Sequence, residues 1–544
     1  MTQHLRETLE LGAERHADVQ LHFLDRHGHE ETRTLAELWD TGRRFAEQLV
    51  DLGAGAEDVI AFQTLSWLEG AVVSYAAAAI GATALPIVYV YGPAEVSWVL
   101  NEIGAQYFVV APHADAAVAQ NRAEVARDVP TIRAVLSIER EDAALIWRVV
   151  AQGRGEPPAV AREVPPDRRL VLYTSGTEAA PKGVQHTDSS LMAEVLNTRP
   201  CGHSVTPDEV VLFTGPLGHI GSMYLAYPFA HGLPVVFMDR WNAKVACEAI
   251  ARHGVTFTHG PPVVVRTLAD RMALDPERYR SLRRVRLGGA EIPPDLIPRL
   301  HDEFGILGFR TYGSTEHPTT TSGTEDDDLA KRASTDGRPL PGNEVRIVDA
   351  EGRDLPAGTE GEIWTRGAEL FAGYVNPELD RTSRVDGWYR TGDLGFLDAA
   401  GYLTVSGRIK DVIVRGGENI PARRVTEVLL SYPSILDATV VAAKDPMFGE
   451  RAFAFVVTAS DEDISLDEVR RHFAAKQVSR QFVPEGIERV DAMPRNATGK
   501  VRREVLRLRA SELWAQRTAS ASTSESEQAT TPASGATCAG PITT

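Results

Sequence analysis

Large apolar residues recur at helical spacing in one early segment and appear as short runs farther along the chain. In residues 35–52 they fall at helical spacing, at positions 35, 38, 39, 45, 49 and 52, and Gly53 follows where a helix C-cap is expected. Short apolar runs then occupy residues 59–62, 107–110, 135–138, 170–173 and 233–237. Such alternation is typical of mainly parallel sheets covered by helices. The pattern therefore predicts a large α/β domain over residues 1–408, with mixed or parallel sheets covered by helices.

The pattern of apolar positions changes near residue 409. A helical pattern and two strand-like runs follow in residues 423–430, 438–442 and 453–457. Ser465 and Glu468 then form the sequence signature of a capping box, which predicts that a helix begins there. These elements predict a small α+β domain over residues 409–512.

Residues 513–544 consist largely of Ser, Thr, Ala, Glu and Pro, with few large apolar side chains. Such a segment buries too little apolar surface to offset the entropy of ordering the chain. We therefore expect residues 513–544 to form a disordered tail.

Composition and charge narrow the class of protein. A chain of 544 residues is long for a single core, so two or more domains are expected. The hydrophobic content of 43% and the charged content of 24% are typical of globular proteins. The formal net charge of −18 argues against a nucleic-acid-binding surface, which requires clustered cations. It leaves room for an anionic cofactor such as ATP, because nearby lysines and helix N-termini set the potential of a site.

The sequence also indicates a location. No apolar run approaches the roughly 18 residues that a membrane span requires, and the first residues lack the apolar segment of a signal peptide. The three cysteines, Cys201, Cys247 and Cys538, form no CxxC pair and are too few for a disulfide framework. A cytoplasmic protein without a membrane partner is therefore expected. The sequence does not indicate an oligomeric state.

The segment 174–183 has the composition of a phosphate-binding turn. It reads Thr-Ser-Gly-Thr-Glu-Ala-Ala-Pro-Lys-Gly and follows the strand-like run at 170–173. Hydroxyl groups and backbone N–H groups can surround phosphate oxygens, and Lys182 supplies a positive charge. It is not a Walker A loop, because Lys182 precedes Gly183 and no Ser or Thr follows. The segment predicts binding of a nucleoside triphosphate by a route other than that of P-loop NTPases.

Five further segments carry candidate chemistry, and each also has an ordinary structural explanation. They are 311–316 (TYGSTE), 388–393 (WYRTGD), 407–411 (GRIKD), 415–419 (RGGEN) and 494–500 (PRNATGK). Tyr312 could stack on a purine, and Glu316 could bind Mg²⁺, which prefers oxygen ligands alongside phosphates. Taken singly, these residues could equally be a core tyrosine and a surface glutamate. The other segments could be turns, a linker between domains, or a loop with a solvent-facing lysine.

Together, in this order and at these separations, the motifs resemble those of the acyl-adenylate-forming superfamily. This superfamily includes acyl-CoA synthetases, aryl-CoA ligases, luciferases and stand-alone adenylation domains. The resemblance covers about residues 10–510 and implies a small C-terminal domain that is mobile. It also implies a reaction in two steps. A small-molecule carboxylic acid first attacks the α-phosphate of Mg²⁺-bound ATP, giving acyl-AMP and pyrophosphate. A nucleophile, usually the CoA thiol, then displaces AMP.

The resemblance also implies which residues bind ATP and the substrates. Tyr312 would stack on adenine, while Asp393 and Arg408 would hold the ribose. The full set implied for binding is Thr174, Ser175, Gly176, Thr177, Lys182, Gly289, Ala290, Glu291, Tyr312, Asp393, Arg408, Gly416 and Gly417. Gly416 and Gly417 would shape the tunnel for the thiol after a rotation of the small domain.

Five residues would carry the reaction itself or the domain motion. Thr315 would approach the α-phosphate, and Glu316 would be the Mg²⁺ ligand. Lys500 would contact the carboxylate and the α-phosphate, offsetting the repulsion between two anions. His219 would gate the acyl pocket, and Lys410 would be the hinge between the domains.

The chain departs from the family pattern in its phosphate turn. Glu178 and Ala179 stand where Thr or Ser and then Gly are usual. A glutamate beside phosphates is electrostatically unfavourable, and loss of the glycine should stiffen the loop. Slower or differently gated handling of ATP is therefore expected.

The identity of the acid and of the acceptor stays open at this point. The implied pocket lining, His219, Tyr224, His259 and Thr319, is more polar than a long-chain fatty acid requires. This favours a cyclic, aromatic or short polar carboxylic acid, although these side chains could also serve only to support one another. CoA is the expected acceptor. One alternative is a stand-alone adenylation enzyme, and another is activation of an oxyanion such as nitrite with transfer to an aryl amine. A non-catalytic adenylate sensor is disfavoured, because Glu316, Asp393 and Lys500 are all present.

Overall fold

The computed structural model describes residues 4–65, 67–89, 91–111, 116–141, 144–157, 164–174, 181–197, 208–459, 464–495 and 500–528. The chain divides into two compact units. The large unit comprises Met1–Ile409 together with Arg495–Lys500, and the small unit comprises Lys410–Pro494 together with Val501–Thr544.

The elements of the large unit alternate between helices and strands. Its first part contains α1 (Leu5–Arg15), β1 (Gln20–Leu24), β2 (Glu30–Thr34), α2 (Leu35–Asp51), β3 (Val59–Gln63), α3 (Trp67–Ile80), β4 (Thr83–Pro86), α4 (Pro93–Ile103), β5 (Tyr107–Val110), α5 (Ala116–Asp128), β6 (Ala134–Glu141), β7 (Ala144–Gln152), β8 (Arg168–Thr174), β9 (Lys182–Thr187) and α6 (Asp188–Asn197). Its middle part contains β10 (Val211–Phe213), a 3₁₀ helix (Ile220–Ala226), α7 (Tyr227–His231), β11 (Val235–Met238), α8 (Ala243–His253), β12 (Phe257–Gly260), α9 (Pro262–Met272), a 3₁₀ helix (Pro276–Tyr279), β13 (Arg284–Leu287), α10 (Leu296–Phe304), β14 (Leu307–Tyr312), β15 (Thr321–Ser322) and α11 (Leu329–Ser334).

The last part of the large unit is mostly strand. It contains β16 (Arg338–Pro339), β17 (Asn343–Val348), β18 (Gly361–Gly367), β19 (Gly373–Tyr374), a 3₁₀ helix (Pro377–Leu379), α12 (Asp380–Ser383), β20 (Arg384–Val385), β21 (Trp388–Leu397) and β22 (Leu403–Arg408). A 3₁₀ turn (Ile409–Asp411) follows. The small unit then contains β23 (Val412–Arg415), β24 (Glu418–Pro421), α13 (Ala422–Leu430), β25 (Ile435–Asp445), β26 (Gly449–Thr458), α14 (Leu466–Ala475), a 3₁₀ helix (Arg480–Phe482), β27 (Gly486–Arg489) and α15 (Arg503–Gln528).

Two large sheets of the first unit have parallel centres and antiparallel edges. One has the order β19-β9-β8-β4-β3-β5-β6-β7, with parallel pairing from β8 to β6. The other has the order β16-β15-β14-β13-β12-β10-β11-β1-β2, with parallel pairing from β14 to β1. A third, antiparallel sheet is formed by β17, β18, β20, β21 and β22. The prediction of mixed and parallel sheets covered by helices is confirmed.

Helices α2 and α3 illustrate why the large unit folds in this way. The apolar face of α2 is buried, including Leu38, Phe45 and Leu49, and Thr34 with Glu37 forms a capping box at its start. Helix α3 is apolar on nearly all sides and is buried along most of its length. A helix of that kind belongs in the interior between layers. Both helices belong to the largest apolar cluster, which includes residues from both large sheets.

The small unit has the predicted α+β composition. Its sheet has the order β24-β23-β26-β25, with β27 added parallel to β26. The predicted capping box is present, because Ser465 accepts from the Glu468 backbone and Glu468 accepts from the Ser465 backbone.

Part of the predicted tail is helical. Helix α15 runs from Arg503 to Gln528, so the expectation of disorder from residue 513 is wrong for residues 513–528. Leu513 and Trp514 pack against an apolar cluster of the small unit, and Trp514 Nε1 donates to Asp445 Oδ2 at 2.7 Å. This contact anchors a helix that the composition alone did not reveal. The rest of the predicted tail, residues 529–544, lies outside the described residues. None of the helices in the described ranges has the combination of length and apolar character that a membrane crossing requires.

Candidate active site

Two antiparallel strands hold the ends of the predicted phosphate turn. Strand β8 ends at Thr174 and β9 begins at Lys182, and these two residues lie opposite each other in the register. The intervening Ser175, Gly176 and Thr177 lie outside the described residues. Both ends of the turn are therefore fixed by a strand pair at the edge of the parallel part of the sheet.

Tyr374 connects the phosphate turn to the predicted metal ligand. It lies in β19 opposite Val184 of β9, and its hydroxyl donates to Glu316 Oε1 at 2.7 Å. The Lys182 ammonium lies 5.9 Å from the centroid of its ring, within the range of a cation–π attraction. Burial raises the pKa of Tyr374, and the charge of Glu316 acts in the same direction, so the hydroxyl stays protonated. The sequence reasoning missed Tyr374; the available signal was an aromatic residue directly after Gly373.

His186 is a second residue that the sequence reasoning missed. It is buried in β9, with Nε2 2.8 Å from the Thr315 carbonyl oxygen and Nδ1 3.2 Å from the Ser190 hydroxyl. Burial lowers the pKa of His186 to about 4, so the ring is neutral near pH 7. Since a carbonyl only accepts, Nε2 carries the proton and donates to Thr315. This bond fixes the backbone at Thr315 beside β9, a role that depends on tertiary proximity and is marked by no local motif.

The predicted ribose-binding residues form one hydrogen-bonded group. Asp393 of β21 and Arg408 of β22 lie opposite each other in the register. Arg408 Nε donates to Asp393 Oδ1 at 2.8 Å, and the Tyr312 hydroxyl donates to Asp393 Oδ2 at 2.7 Å. Asp393 is buried, whereas most of the Arg408 side chain is exposed. The structure thus brings the predicted adenine-stacking residue and both predicted ribose ligands together.

Lys500 belongs to the large unit and lies near these residues. The residue is accessible to solvent, yet two effects lower the pKa of Lys500. Neighbouring protein atoms desolvate the ammonium group, and the positive charge of Arg408 acts in the same direction. The negative charges of Asp393 and Glu316 act in the opposite direction. Both predicted carboxylates are therefore close enough to Lys500 to influence its charge. The preceding residues 496–499 lie outside the described residues.

His219 is the fourth predicted catalytic residue in this region. It precedes the 3₁₀ helix Ile220–Ala226. Burial lowers the pKa of His219 to about 4, and the nearby charge of Lys500 acts in the same direction. Among the described residues, its buried Nε2 has no hydrogen-bond partner. The imidazole is therefore neutral near pH 7, and one of its nitrogens is left for another partner.

His259 lies in a row of side chains that crosses the second large sheet. The register places His259 beside Arg286 and Arg286 beside Phe309, on β12, β13 and β14. The Arg286 guanidinium lies 5.7 Å from the centroid of the Phe309 ring. Burial lowers the pKa of His259 to about 3, and the charge of Arg286 acts in the same direction. Like His219, His259 has a buried Nε2 without a hydrogen-bond partner among the described residues.

Aromatic rings cover His259 from the other side. Its ring centroid lies 5.1 Å from that of Tyr224 and 4.9 Å from that of Phe213, both in edge-on arrangements. Tyr224 and Phe213 stack on each other at 4.6 Å. The predicted pocket residues Tyr224 and His259 are thus in contact and form part of an aromatic wall.

Two buried carboxyl groups lie behind this wall. Glu194 Oε1 accepts from the Thr319 hydroxyl at 3.0 Å and from the Tyr227 hydroxyl at 3.3 Å. Burial raises the pKa of Glu369 well above its usual range, and the neighbouring charge of Glu194 acts in the same direction. Glu369 is therefore protonated near pH 7. The predicted pocket residue Thr319 belongs to this polar group and not to the aromatic wall.

The other predicted residues are placed as follows. Gly289 and Ala290 are exposed directly after β13, and Gly289 has a φ of 76°, a conformation that glycine adopts without strain. Glu291 is half-buried in the same loop. This loop follows the strand that carries Arg286.

Three predicted residues belong to the small unit. Gly416 and Gly417 form the two-residue turn between β23 and β24, and both have positive φ values, of 57° and 90°. Such a turn suits the twist of a hairpin. Lys410 lies in the 3₁₀ turn at the first residue of the small unit, and its carbonyl accepts from Arg507 Nη2 at 2.9 Å.

The chemistry of these donors fits a magnesium–nucleotide complex. Glu316 offers a carboxylate, the hard oxygen ligand that Mg²⁺ prefers when phosphates supply further ligands. Tyr374 orients this carboxylate through Oε1. Lys182 and Lys500 supply positive charge to the same region. The arrangement can bind a polyanion and bring a second anion next to it.

Comparison with known proteins shows which family the chain matches. Residues 9–375 match the family described as AMP-binding enzyme, and residues 424–500 match the AMP-binding enzyme C-terminal domain. The chain is 32% identical over 499 residues to a medium-chain fatty-acid–CoA ligase of Escherichia coli, covering 89% of this chain and 86% of that protein. It is also 32% identical over 431 residues to a sulfoacetate–CoA ligase of Cupriavidus necator, covering 78% and 82%.

Among solved structures, the amide bond synthetase McbA from Marinactinospora thermotolerans has a similar fold. The TM-score is 0.79 at 26% sequence identity, and the match covers 92% of this chain and 99% of that chain. The similarity therefore extends over both units.

Proposed function

Because the chain belongs to the AMP-binding enzyme family and is an AMP-forming acid–CoA ligase, we propose that its acid is cyclic, aromatic or short and polar. ATP and CoA are its other substrates. The relatives at 32% identity carry the names of a fatty-acid ligase and a sulfoacetate ligase, so identity does not select the acid. The chemistry of the pocket has to select it.

One observation carries this proposal. The Nε2 atoms of His219 and His259 are both buried and have no hydrogen-bond partner among the described residues. A buried polar atom left unpaired costs about 1–3 kcal/mol, so a purely alkyl chain against both imidazoles would be disfavoured. An acid with its own polar atoms can bond to them. A ring can also pack against the edge-on arrangement of Tyr224 and His259.

Charges behind the aromatic wall support the same class of acid. Arg286 is buried, and its positive charge acts on His259. At Tyr224 and Tyr227 the negative charge of Glu194 has the larger effect, and Arg286 opposes it. The positive charge of Arg286 beside His259 favours a substrate that places a polar or negatively charged group against His259. A long alkyl chain would gain nothing from that charge.

In the proposed first step, protein groups hold two anions together. Asp393, oriented by Tyr312 and Arg408, would bind the ribose hydroxyls. Lys500 would lie between the carboxylate of the acid and the α-phosphate. A bound Mg²⁺, held by Glu316, would offset the negative charge of the phosphates. A well-placed cation in such a site contributes about 3–4 kcal/mol to transition-state stabilisation, judged by the loss of oxyanion donors in other enzymes.

The test is a panel of acids with ATP, Mg²⁺ and CoA. Pyrophosphate release, AMP formation and CoA consumption are measured for an aryl acetic acid, sulfoacetate, a dicarboxylic acid and octanoate. We expect kcat/KM to be higher for at least one ring-bearing or polar acid than for octanoate. Glu316→Gln serves as the control for background turnover. A clear preference for octanoate over every ring-bearing and polar acid would contradict the proposal.

A second candidate concerns the acceptor. The similarity to the amide bond synthetase McbA over 92% of this chain is the observation behind an amine as a second candidate acceptor besides CoA. Both acceptors would displace AMP from the same acyl-AMP, so the first step would be shared. AMP formation with an acid and an amine, but not with the acid and CoA, would support the amine. Nitrite in place of the acid, with an aryl amine present, tests the oxyanion alternative in the same assay.

A further inference from the structure

Three metal-ligating side chains converge on the surface of the large unit, in elements to which no site residue is assigned. His22 Nδ1 lies 2.8 Å from Glu30 Oε1, and His253 Nε2 lies 3.2 Å from Glu30 Oε2. The potential ligand atoms of the three residues all lie within 4.8 Å of one another. Within the described ranges, this is the one group of three such residues with that spacing.

The fold creates this cluster from three separate elements. His22 lies in β1, Glu30 begins β2, and His253 is the last residue of α8, before Gly254. Strands β1 and β2 form a hairpin in which His22 is opposite Thr32. The two imidazole centroids are 4.1 Å apart, and each of the three side chains is less than one-fifth exposed. The donors are therefore held in place by the fold and are shielded on most sides.

We propose that His22, Glu30 and His253 bind one divalent transition-metal ion, for which Zn²⁺ is the best match. Two imidazole nitrogens and one carboxylate oxygen form a donor set that suits Zn²⁺, with bond lengths of about 2.0–2.2 Å. Two donors at such bond lengths in a tetrahedral arrangement are roughly 3.3–3.5 Å apart. The separations of 2.8 and 3.2 Å involve the two different oxygens of Glu30, whereas the three ligand atoms of the set, with one carboxylate oxygen, lie within 4.8 Å of one another. Reaching the tetrahedral separation therefore requires a shift of roughly 1 Å between donors, within the range of a side-chain rotation. Water can supply the fourth ligand.

Two neighbouring residues affect how the Glu30 carboxylate and the His22 ring can bind the ion. Arg252 Nη1 lies 2.8 Å from Glu30 Oε2, so this oxygen is shared with a guanidinium. The Thr32 hydroxyl lies 3.1 Å from His22 Nδ1. On binding, the ion replaces the protons that His22 and His253 share with Glu30, and Arg252 continues to orient the carboxylate. Because two of the three ligands are imidazoles, the site prefers transition metals such as Zn²⁺ to Mg²⁺, which favours oxygen ligands.

The role that follows is structural. Strand β2 is the edge of its sheet and pairs with β1 alone among the described strands. An ion bound here joins this edge hairpin to the end of α8. Binding to the folded form alone stabilises it, because the unfolded chain does not hold the three donors together.

The experiment uses the full chain without a histidine tag, stripped with EDTA and dialysed. Zinc chloride is titrated calorimetrically into the wild type and into His253→Ala, Glu30→Gln and His29→Ala. His29 is the matched control, because it lies in the same hairpin and its exposed ring contacts Asp25 instead. We expect one zinc site in the wild type and in His29→Ala, with affinity at least about 10-fold weaker in the other two variants, as for lost supporting residues of metal sites.

A second measurement does not depend on the variants. Cobalt chloride added to the wild type should give the visible absorption of a four-coordinate Co²⁺ with imidazole ligands, and excess Zn²⁺ should remove it. Zn²⁺ should also raise the melting temperature of the wild type. Zinc affinity that is equal in all four proteins would overturn the proposal, and so would the absence of both zinc binding and the cobalt spectrum in the wild type. Catalytic activity is not the readout, so failure here is distinguishable from failure of the proposed ligase function.

Discussion

The proposed nucleotide side and the proposed acid side of the candidate site differ in how their polar groups are satisfied. On the nucleotide side, Asp393 accepts from both Tyr312 and Arg408, and Glu316 accepts from Tyr374. On the acid side, His219 and His259 each keep a buried ring nitrogen without a partner among the described residues. The first group is already oriented by protein atoms, whereas the second leaves hydrogen bonds for a ligand to complete.

This difference has a physical meaning. ATP is the same in every turnover, so groups fixed in advance lower the cost of binding and of charge development. The acid differs among relatives of equal identity, and unsatisfied groups allow a pocket to discriminate. Discrimination through an unpaired buried group is strong, because the wrong ligand leaves that group desolvated and unbonded.

The largest expected effect comes from removing the cation that joins the two sides. In Lys500→Ala, the rate of adenylation, measured as pyrophosphate release, should fall about 10²–10³-fold, by analogy with removal of one oxyanion donor. The carboxylate and the α-phosphate would then meet without that positive charge between them. Transfer of a preformed acyl-AMP to CoA should be nearly unchanged, because the repulsion between two anions has already been overcome.

The matched control for this prediction is Lys444→Ala. Lys444 is an exposed lysine in β25 of the small unit and should affect neither step. Equal loss of both half-reactions in Lys500→Ala would show that the residue supports the fold or the second step, and the role proposed for it would be wrong.

A smaller effect is expected from the group that is already satisfied. Asp393→Asn keeps the shape of the side chain but weakens the bonds from Tyr312 and Arg408 and the expected bonds to ribose. We expect KM for ATP to rise about 10–100-fold with a small change in kcat, since charged hydrogen bonds contribute roughly 1.5–3 kcal/mol. Asp354→Asn, at an exposed aspartate, is the control. A large fall in kcat at saturating ATP would place Asp393 in the chemical step instead.

Some of these groups could be predicted from the sequence and others could not. The alternation of elements, the capping box at Ser465 and the order of the motifs were sufficient for the fold class and the family. Tyr312 and Asp393 each stand in a short local motif, 311–316 and 388–393, so the sequence could indicate them. Tyr374 and His186 were not predicted, because their contacts form only when the fold brings β19 and residue 315 beside β9.

Two further contacts could not be predicted from the local sequence. The prediction of a tail from residue 513 failed for residues 513–528, because Trp514 is anchored by Asp445, about 70 positions away in the chain. Thr319, which the resemblance places in the acyl pocket, donates to the buried Glu194, a contact that the sequence did not indicate. Both depend on long-range contacts that no local pattern contains.

The acid side can be altered directly at His259. In His259→Leu, the unpaired ring nitrogen is replaced by an apolar side chain of similar size. The ratio of kcat/KM for octanoate to that for the preferred polar or aryl acid should rise roughly 10-fold, the effect of about 1.4 kcal/mol. KM for ATP should stay within about twofold, because the nucleotide groups are not touched. His301→Leu is the matched control, at an exposed histidine of the large unit. His231 is less suitable, because its ring bonds to the Val195 carbonyl. An unchanged ratio would mean that His259 only supports the wall.

The smallest effect concerns the protonated carboxyl behind the acid side. Glu369 has a raised pKa in the folded protein, because it is buried beside Glu194. Below the usual glutamate pKa of about 4.3, both folded and unfolded forms carry the proton, and this contribution to stability is fully present. As pH rises toward the folded pKa, the unfolded form releases its proton and the folded form does not, so stability is lost. Glu369→Gln removes this dependence, because the amide resembles the protonated carboxyl at every pH.

We therefore expect Glu369→Gln to be more stable than the wild type by about 1 kcal/mol or more at pH 8, and the difference should shrink at pH 5. Urea unfolding of both proteins at the two pH values measures this difference, and Glu344→Gln, at an exposed glutamate paired with Arg366, controls for loss of a surface charge. A wild type that gains stability relative to Glu369→Gln as pH rises would mean that Glu369 is ionised in the fold. Glu369 would then add a buried negative charge beside Glu194, and a substrate with a negatively charged far end would be disfavoured there.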